Sequence, residues 1–393
     1  MKDIVICAAK RTPIGSFQGA LKEIPAPHLG AGICRSILEE CQLDPEAVQE
    51  LIAGCVLPAG QGMNPARQIA LISGLPAIST AMTVNRVCGS GLQAIVSAAQ
   101  AIALGEIDCI LAGGIESMSR VPYLLAKARP GYRFGHDTLF DGLILDGLWD
   151  AFHDVHMGLT AETLADRFSI SRQEQDRFAL ESQNKAALAI KEGRFKREIH
   201  PVPIPQTKGD PILFGNDEYV RTDTSMERLS KLKPAFRKDG TVTAGNSSGI
   251  NDGAAFLLIT SSRWAEAHRL KPRAIIRSWA VAGVEPMEMG LGPVPAVKKT
   301  LERSGNLLQQ MDVIELNEAF AAQSLAVLRQ LNPPPERVNP NGGAIALGHP
   351  IGASGARILV TLLHELERSA GKFGLATLCI GGGQGIAMII ERV

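Results

Sequence analysis

The sequence has no excess charge of either sign: 40 Lys and Arg residues are offset by 40 Asp and Glu. A chain so balanced offers no broad basic face for nucleic acid and no polybasic tail for an anionic membrane. No uninterrupted apolar run reaches the ~20 residues that a membrane-crossing helix needs. Paired cysteine spacing is missing too. Seven cysteines are scattered without a Cys-x-x-Cys, and no His-x-x-x-His occurs. That excludes a disulfide framework and a tetrahedral zinc site, and leaves reduced thiols and metal-free chemistry as the expectation. No leader is expected either: Met1-Lys2-Asp3 passes straight into Ile4-Val5-Ile6-Cys7, which reads as a first strand, so the expected compartment is the cytoplasm.

What is present is a chain of 393 residues, 45% hydrophobic and 20% charged, enough to fill the cores of two or three domains. Strand-like and helix-like patterns alternate from the start: Asp3 to Ala8, Leu29 to Cys41, Glu50 to Gly54, a helix after Cys88, then Cys109 to Gly114. The last third repeats this with Ala274 to Val281, Val294 to Ser304, Val313 to Leu316, Gly352 to Leu366 and Ala376 to Gly381. Buried strands alternating with helices predict a layered α/β fold. Ile52 and Ile314 lie 262 residues apart, Ser90 and Ser354 264, and Gly113 and Gly381 268. That slow drift predicts a duplication, two similar halves about a pseudo-twofold axis. Between them, about Ser119 to Asn246 differs in character and reads as an insertion. In it, Ser171-Arg172-Gln173-Glu174 is a capping box that opens a helix to about Lys191, stopped by Gly193. The expected units are 1–118 with 247–270, the insertion 119–246, and 271–393.

Four stretches carry residues suited to chemistry. Val87-Cys88-Gly89-Ser90-Gly91 sets a cysteine at the start of an Ala- and Ile-rich helix, where unpaired amides and the helix dipole favour a thiolate. His349 lies in a glycine-rich loop just ahead of Gly352-Ala353-Ser354-Gly355, the turn that matches Cys88-Gly89-Ser90-Gly91. Two helix starts related by a pseudo-twofold would bring cysteine and imidazole together. Cys379-Ile380-Gly381-Gly382-Gly383 ends a strand in glycines whose amides could face a ligand oxygen. Glu315-Leu316-Asn317-Glu318 puts an amide and a carboxylate at a strand end. Each has an inert alternative: a turn thiol, a turn histidine, a strand bend, a helix cap.

Two lookalikes fail on context. Gly348-x-x-x-Gly352-x-x-Gly355 lacks the Gly-Lys-Ser/Thr ending of a phosphate loop. Gly245-Asn246-Ser247-Ser248-Gly249 fits Gly-x-Ser-x-Gly after a β-like Thr241-Val242-Thr243, but Asn251-Asp252-Gly253 interrupts the helix that a nucleophile elbow requires. Cys7, Cys34, Cys41, Cys55 and Cys109 read as core thiols. His28, His136, His200, His268 and His364 read as polar or surface residues, whereas His156 follows an apolar run that could line a pocket.

Taken together, these stretches resemble the signatures of thiolases. Arg11-Thr12-Pro13-Ile14-Gly15, Gly113 to Ser119, and Asn341-Gly342-Gly343 through Gly348-His349-Pro350 extend the likeness over essentially the whole chain. The resemblance implies two duplicated βαβαβαββ halves in an αβαβα layering, an inserted loop domain, and a homodimer or homotetramer. It implies Cys88 as acyl carrier with a lowered pKa, His349 as its base, and Cys379 as the acid–base for the α-proton of acetyl-CoA. His349 with a water on Asn317 would form one oxyanion hole, and the amides of Cys88 and Gly381 another. The implied substrates are acetyl-CoA and acetoacetyl-CoA, with no cofactor beyond coenzyme A itself. Binding positions carried over by resemblance are Leu148, His156, Met157, Arg221, Phe236, Ala244, Ser248, Ala319 and Phe320, with Arg221 toward the nucleotide and Ser248 on the pantetheine. Arg228 stands where some relatives have a small polar residue near the adenine. The His156-Met157 pair is similar to that of members acting on acetoacetyl-CoA, while broad-range degradative members more often lack the histidine. A decarboxylating condensing enzyme would be expected to pair its cysteine with two histidines. A non-catalytic lipid-binding or scaffold relative would be expected to have lost Cys88, His349 or Cys379.

Overall fold

The computed structural model describes residues 3–393; Met1 and Lys2, which open the expected leaderless start, lie outside the described residues. Nine strands matter to the argument: β1 (Ile4–Arg11), β2 (Glu50–Gly54), β3 (Thr80–Val84), β4 (Cys109–Ser117), β5 (Asn251–Ser261), β6 (Ala274–Gly283), β7 (Val313–Leu316), β8 (Phe373–Ile380) and β9 (Gln384–Arg392). They line up as β7-β8-β9-β6-β1-β5-β4-β2-β3, with Gly15–Ser16 adding a short strand beside β5. Read outward from the centre, β1-β5-β4-β2-β3 and β6-β9-β8-β7 share one plan. Each half has antiparallel pairs near the centre and a parallel pair outside. The halves join where Val5 pairs with Ile275 and Ile6 with Ala274. In the second half the counterpart of β3 shrinks to a single bridge from Ile314 to Val338. Pro333, Pro334, Pro335 and Pro340 flank that bridge, and prolines cannot donate to a ladder.

Because side chains alternate along a strand, the sheet feeds three layers of core. Leu51, Phe256 and Leu258 pack outward against helices α1 (Ala26–Glu40) and α2 (Pro65–Ile72). Ile52, Leu257, Leu378 and Met388 pack inward against α3 (Ser90–Leu104) and the last long helix. The far outer layer, under Ile314, Leu375 and Ile389, is closed by α6 (Pro293–Ser304) and α7 (Ala321–Leu331). The last long helix, α8 (Ile351–Ser369), is buried against α3. By length and composition Val87–Leu104 could cross a membrane, yet here it is the central helix of a layered core. At the α3–α8 contact the backbones nearly touch. A side chain on Gly91 would come within 2.8 Å of the Ala356 nitrogen, and one on Gly355 within 2.5 Å of the Leu92 nitrogen. The two matched turns thus meet face to face across the pseudo-twofold.

The insertion contributes α4 (Met157–Arg167) and α5 (Arg172–Lys191). The expected capping box of Ser171 and Glu174 forms, and Gly193 follows at φ 69°. As expected, no helix follows Gly245–Gly249: Asn251-Asp252-Gly253 opens β5, where Asn251 and Asp252 pair with Ser16 and Gly15. Two expectations need correction. Thr241 to Thr243 is irregular. His364 is buried in α8, its Nε2 3.0 Å from the Ala9 carbonyl. Fully buried Arg11, at the end of β1, forms ion pairs with Glu198 and Asp217 of the 119–246 segment, both at 2.7 Å.

Candidate active site

β3 ends at Val84, and the chain turns through Asn85 to Gly89 into α3. Val87 sits at φ 45°, a region that a β-branched residue enters only under strain. The turn holds it there: the Val87 N–H donates to Asn85 Oδ1 at 2.8 Å, and the Ser90 hydroxyl donates to the Val87 carbonyl at 2.6 Å. The Arg86 N–H donates to the Ser90 oxygen at 2.8 Å. Cys88 therefore projects from a rigid elbow and is only partly buried. Its acidity differs from expectation. Desolvation outweighs the Gly381 and Cys88 backbone N–H groups, and the nearby Glu116 carboxylate adds to it, so the thiol is pushed up to about 11. The resting sulfur is a protonated thiol that needs a base.

The candidate base, His349, stands on the opposite turn. His349 is 5% exposed, and its backbone N–H donates to Asn251 Oδ1 at 2.9 Å. Its Nδ1 lies 2.6 Å from Ser354 Oγ, whose own proton goes to the Pro350 carbonyl at 2.9 Å. That network assigns the ring proton to Nδ1 and leaves Nε2 a free lone pair. Burial, with Arg357 nearby, holds the imidazole down at about 3, so it is neutral at physiological pH. Among the described residues, His349 Nε2 and both amide atoms of Asn317 are buried without a hydrogen-bond partner. Buried polar atoms left unpaired are costly, so each of these is suited to meet a ligand or a bound water. Asn317 follows β7 and does not cap α7, whose N-cap is Phe320.

Cys379, 1% exposed near the end of β8, packs with Met157, Ala319 and Phe320. Burial pushes its thiol up, and the neighbouring Cys88 adds to the shift. Gly381 lies between Met157 and Val87: a Cβ there would stand 3.3 Å from the Met157 sulfur and 3.4 Å from Val87 Cγ1. The structure thus gathers Cys88, Cys379, Gly381 and Met157 at one point.

Leading away from it, a cavity of about 630 Å³ has His349 and Phe320 among its walls. Leu148, His156, Arg221, Phe236, Ala244 and Ser248 also line it. Met157 and Ala319 sit behind Phe320, in the cluster with Cys379. His156 is a rigid wall: its Nδ1 accepts the Gly158 N–H at 3.0 Å, and its ring stacks on Phe236 at 4.7 Å. Burial lowers its pKa. Arg221 is exposed, with its guanidinium 5.0 Å from the Tyr219 ring centre. Arg228 is not among the cavity residues; it is exposed and ion-paired with Asp223. Ser247, the serine of the Gly-x-Ser-x-Gly lookalike, donates to the Thr243 carbonyl at 2.7 Å.

Sequence reasoning missed Phe17, Met118, Glu218, Tyr219 and Ile250, which also line the cavity. Tyr219 beside Arg221 was a signal that could have been used, an aromatic next to a cation in a polar segment. Met118 belongs to the Gly113 to Ser119 stretch and Glu218 adjoins Tyr219, while Phe17 and Ile250 stand alone and carry no local pattern.

Comparison with known proteins follows this geometry closely. The thiolase N-terminal domain model matches residues 4–263, and the thiolase C-terminal domain model matches residues 270–392. An acetyl-CoA acetyltransferase of Pseudomonas aeruginosa is 58% identical over 392 residues, covering 100% of both chains. One from Chromobacterium violaceum is 54% identical, covering 99% of this chain and 100% of its own. A probable acetyl-CoA acyltransferase of Staphylococcus epidermidis is also 54% identical, over 100% of this chain and 99% of its own. The crystal structure of the Bacillus anthracis acetyl-CoA acetyltransferase superposes with a TM-score of 0.98 at 44% identity, covering 100% of this chain and 99% of that one.

Proposed function

The chain belongs to the thiolase family, and from that premise we propose that it reversibly condenses two acetyl-CoA into acetoacetyl-CoA and CoA through an acetyl group carried on Cys88. The observation that carries this reading is the pairing of two neighbouring thiols, Cys88 and Cys379, in a chain that also keeps His349 Nε2 and both amide atoms of Asn317 buried without a partner. His349 Nε2 takes the Cys88 proton, and the thiolate attacks the thioester carbon of acetyl-CoA. As the C–S bond breaks, Cys379 gives its proton to the departing CoA sulfur and becomes a thiolate. That thiolate removes an α-proton from the second acetyl-CoA, and the enolate carbon attacks the acetyl group on Cys88. Collapse releases acetoacetyl-CoA, and the imidazolium returns its proton to Cys88. The enolate oxygen is held by His349 Nε2–H and a water on Asn317, and the tetrahedral oxyanion by the amides of Cys88 and Gly381.

The cavity of Leu148, His156, Phe236, Ala244 and Ser248 takes the pantetheine, and Arg221 the nucleotide end. The reaction as drawn needs no cofactor beyond the CoA thioester. The assembly we favour is a homodimer or homotetramer. Strand β3 is a sheet edge with Met82 42% exposed, Ile78 beside it is 88% exposed, and Phe134 and Phe152 of the insertion are uncovered. Seven unpaired cysteines fit a reducing cytoplasm. The test is thiolysis of acetoacetyl-CoA beside a longer 3-ketoacyl-CoA. Efficient cleavage of the first supports the reading, and equal efficiency on both would move the enzyme to the broad-range class. No turnover of either would favour a binding or scaffold protein.

A further inference from the structure

One buried carboxylate is left unused by these steps. Glu116, 0% exposed near the end of β4, accepts from the Val56 N–H at 3.0 Å and from the Leu57 N–H at 3.2 Å, both on the loop after β2. The Cys55 thiol lies 3.7 Å from it. Its remaining bond crosses to the other half of the molecule: the Gly352 N–H donates to Oε2 at 2.9 Å. Gly352 lies in the first turn of α8, and Pro350, the N-cap of that helix, provides no capping side chain. Glu116 therefore caps from outside the helix that bears Ser354 and follows His349. Gly352 also stands 264 residues after Cys88, the same offset as Ser354 after Ser90, so the carboxylate grips the second half at the position equivalent to the cysteine.

On its other side the line continues. The Val56 carbonyl accepts from Asn85 Nδ2 at 3.3 Å, and Asn85 Oδ1 accepts from the N–H of Val87, the residue held at φ 45° just before Cys88. A continuous connection therefore runs from the first turn of α8 through Glu116, Val56 and Asn85 to the Cys88 elbow. We propose that Glu116 is a positioning residue which, with Asn85, forms a strut that fixes the Cys88 elbow against the His349 helix. The strut sets the gap across which their proton moves. This rests on the assignment of Cys88 and His349 as the reacting pair. Two features support it: the carboxylate is desolvated to about 7 even with three backbone N–H groups on it, and its charge reaches Cys88. A buried charge retained at such a place is better suited to orienting the two turns than to general stability.

The test uses the full-length enzyme and thiolysis of acetoacetyl-CoA. Glu116→Gln keeps the shape but replaces one acceptor by a donor. It is expected to lower kcat by about tenfold or more while KM stays within about twofold, because misplaced reacting groups slow chemistry without touching the binding cavity. Asn85→Ala, at an exposed position, is expected to lower kcat in the same way and with an unchanged melting temperature. Combined, the two should be no slower than Glu116→Gln alone within about twofold, since both break one connection. A folded Glu116→Gln enzyme with parental kcat, or effects that multiply in the double variant, would overturn the strut. If Glu116→Gln does not fold, Asn85→Ala decides, and an unchanged kcat there overturns it. Cys88→Ala separates the two levels: activity surviving that change removes the underlying assignment, whereas its loss beside a normal Glu116→Gln enzyme removes only the strut.

Discussion

His349 Nδ1 lies 2.6 Å from the Ser354 hydroxyl, which donates its own proton to the Pro350 carbonyl one turn back. The serine can only accept from the ring, so it holds the imidazole in the form whose Nε2 faces the site with a lone pair. Ser354→Ala should let the ring turn and exchange tautomers. Thiolysis kcat should fall by about tenfold to a hundredfold with little change in KM. An unchanged kcat would mean that the backbone bond to Asn251 orients the histidine unaided.

The resting protonation states lead to a pH prediction. Burial holds the Cys88 thiol up at about 11 and His349 down at about 3, so at neutral pH the pair is thiol plus neutral imidazole. Below its pKa a thiol's reactive fraction rises about tenfold per pH unit. Alkylation of Cys88 by iodoacetamide in the absence of CoA thioesters should therefore keep rising through about pH 9. A plateau below about pH 8 would instead reveal a preformed thiolate–imidazolium pair.

That thiol also marks where sequence reasoning reached its limit. The elbow was legible because Cys-Gly-Ser-Gly followed by an apolar helix has few other uses. A helix start predicts a stabilised thiolate, and it says nothing of the walls contributed by Ile380, Gly381 and Met157 from distant segments. The strands Glu50–Gly54 and Val313–Leu316 were read to the residue, since each is a short buried run between turn signals. β5 was not, because Asn251-Asp252-Gly253 has turn chemistry that pairing with Gly15–Ser16 overrides. His349, Cys379 and Asn317 stood out against glycines or a strand end. Phe17, Met118 and Ile250 converge on the cavity from segments far apart in the chain, a relation visible only in three dimensions.

The two cysteines should separate by step. Cys379→Ser leaves the Cys88 elbow and His349 intact and removes the acid that protonates the departing CoA sulfur, but a thiolate can leave unprotonated, so the labelled acetyl group should still transfer from acetyl-CoA to Cys88, only more slowly. Condensation should fall by roughly 10²–10⁴-fold, the usual range for a lost acid–base group. Equal loss of both half-reactions would count against assigning the α-proton to Cys379.

Substrate length should depend on Met157. It is 8% exposed and packs with Phe320 and Cys379, so on the proposed role of Cys379 a longer acyl chain would meet it. Overfilling a packed site costs roughly 1–3 kcal/mol, so kcat/KM should fall at least about tenfold for chains of about six carbons or more. Met157→Ala should recover longer substrates selectively without impairing acetylation of Cys88. If the variant loses activity on every chain length alike, Met157 supports the site without gating it.

The most direct measurement is the position of the acyl group. The enzyme mixed with acetyl-CoA, quenched in acid and digested should yield one acetylated peptide, the one containing Cys88, and Cys88→Ala should abolish exchange between acetyl-CoA and free CoA. An acetyl group found only on the Cys379 peptide, or exchange that survives in Cys88→Ala, would contradict the account.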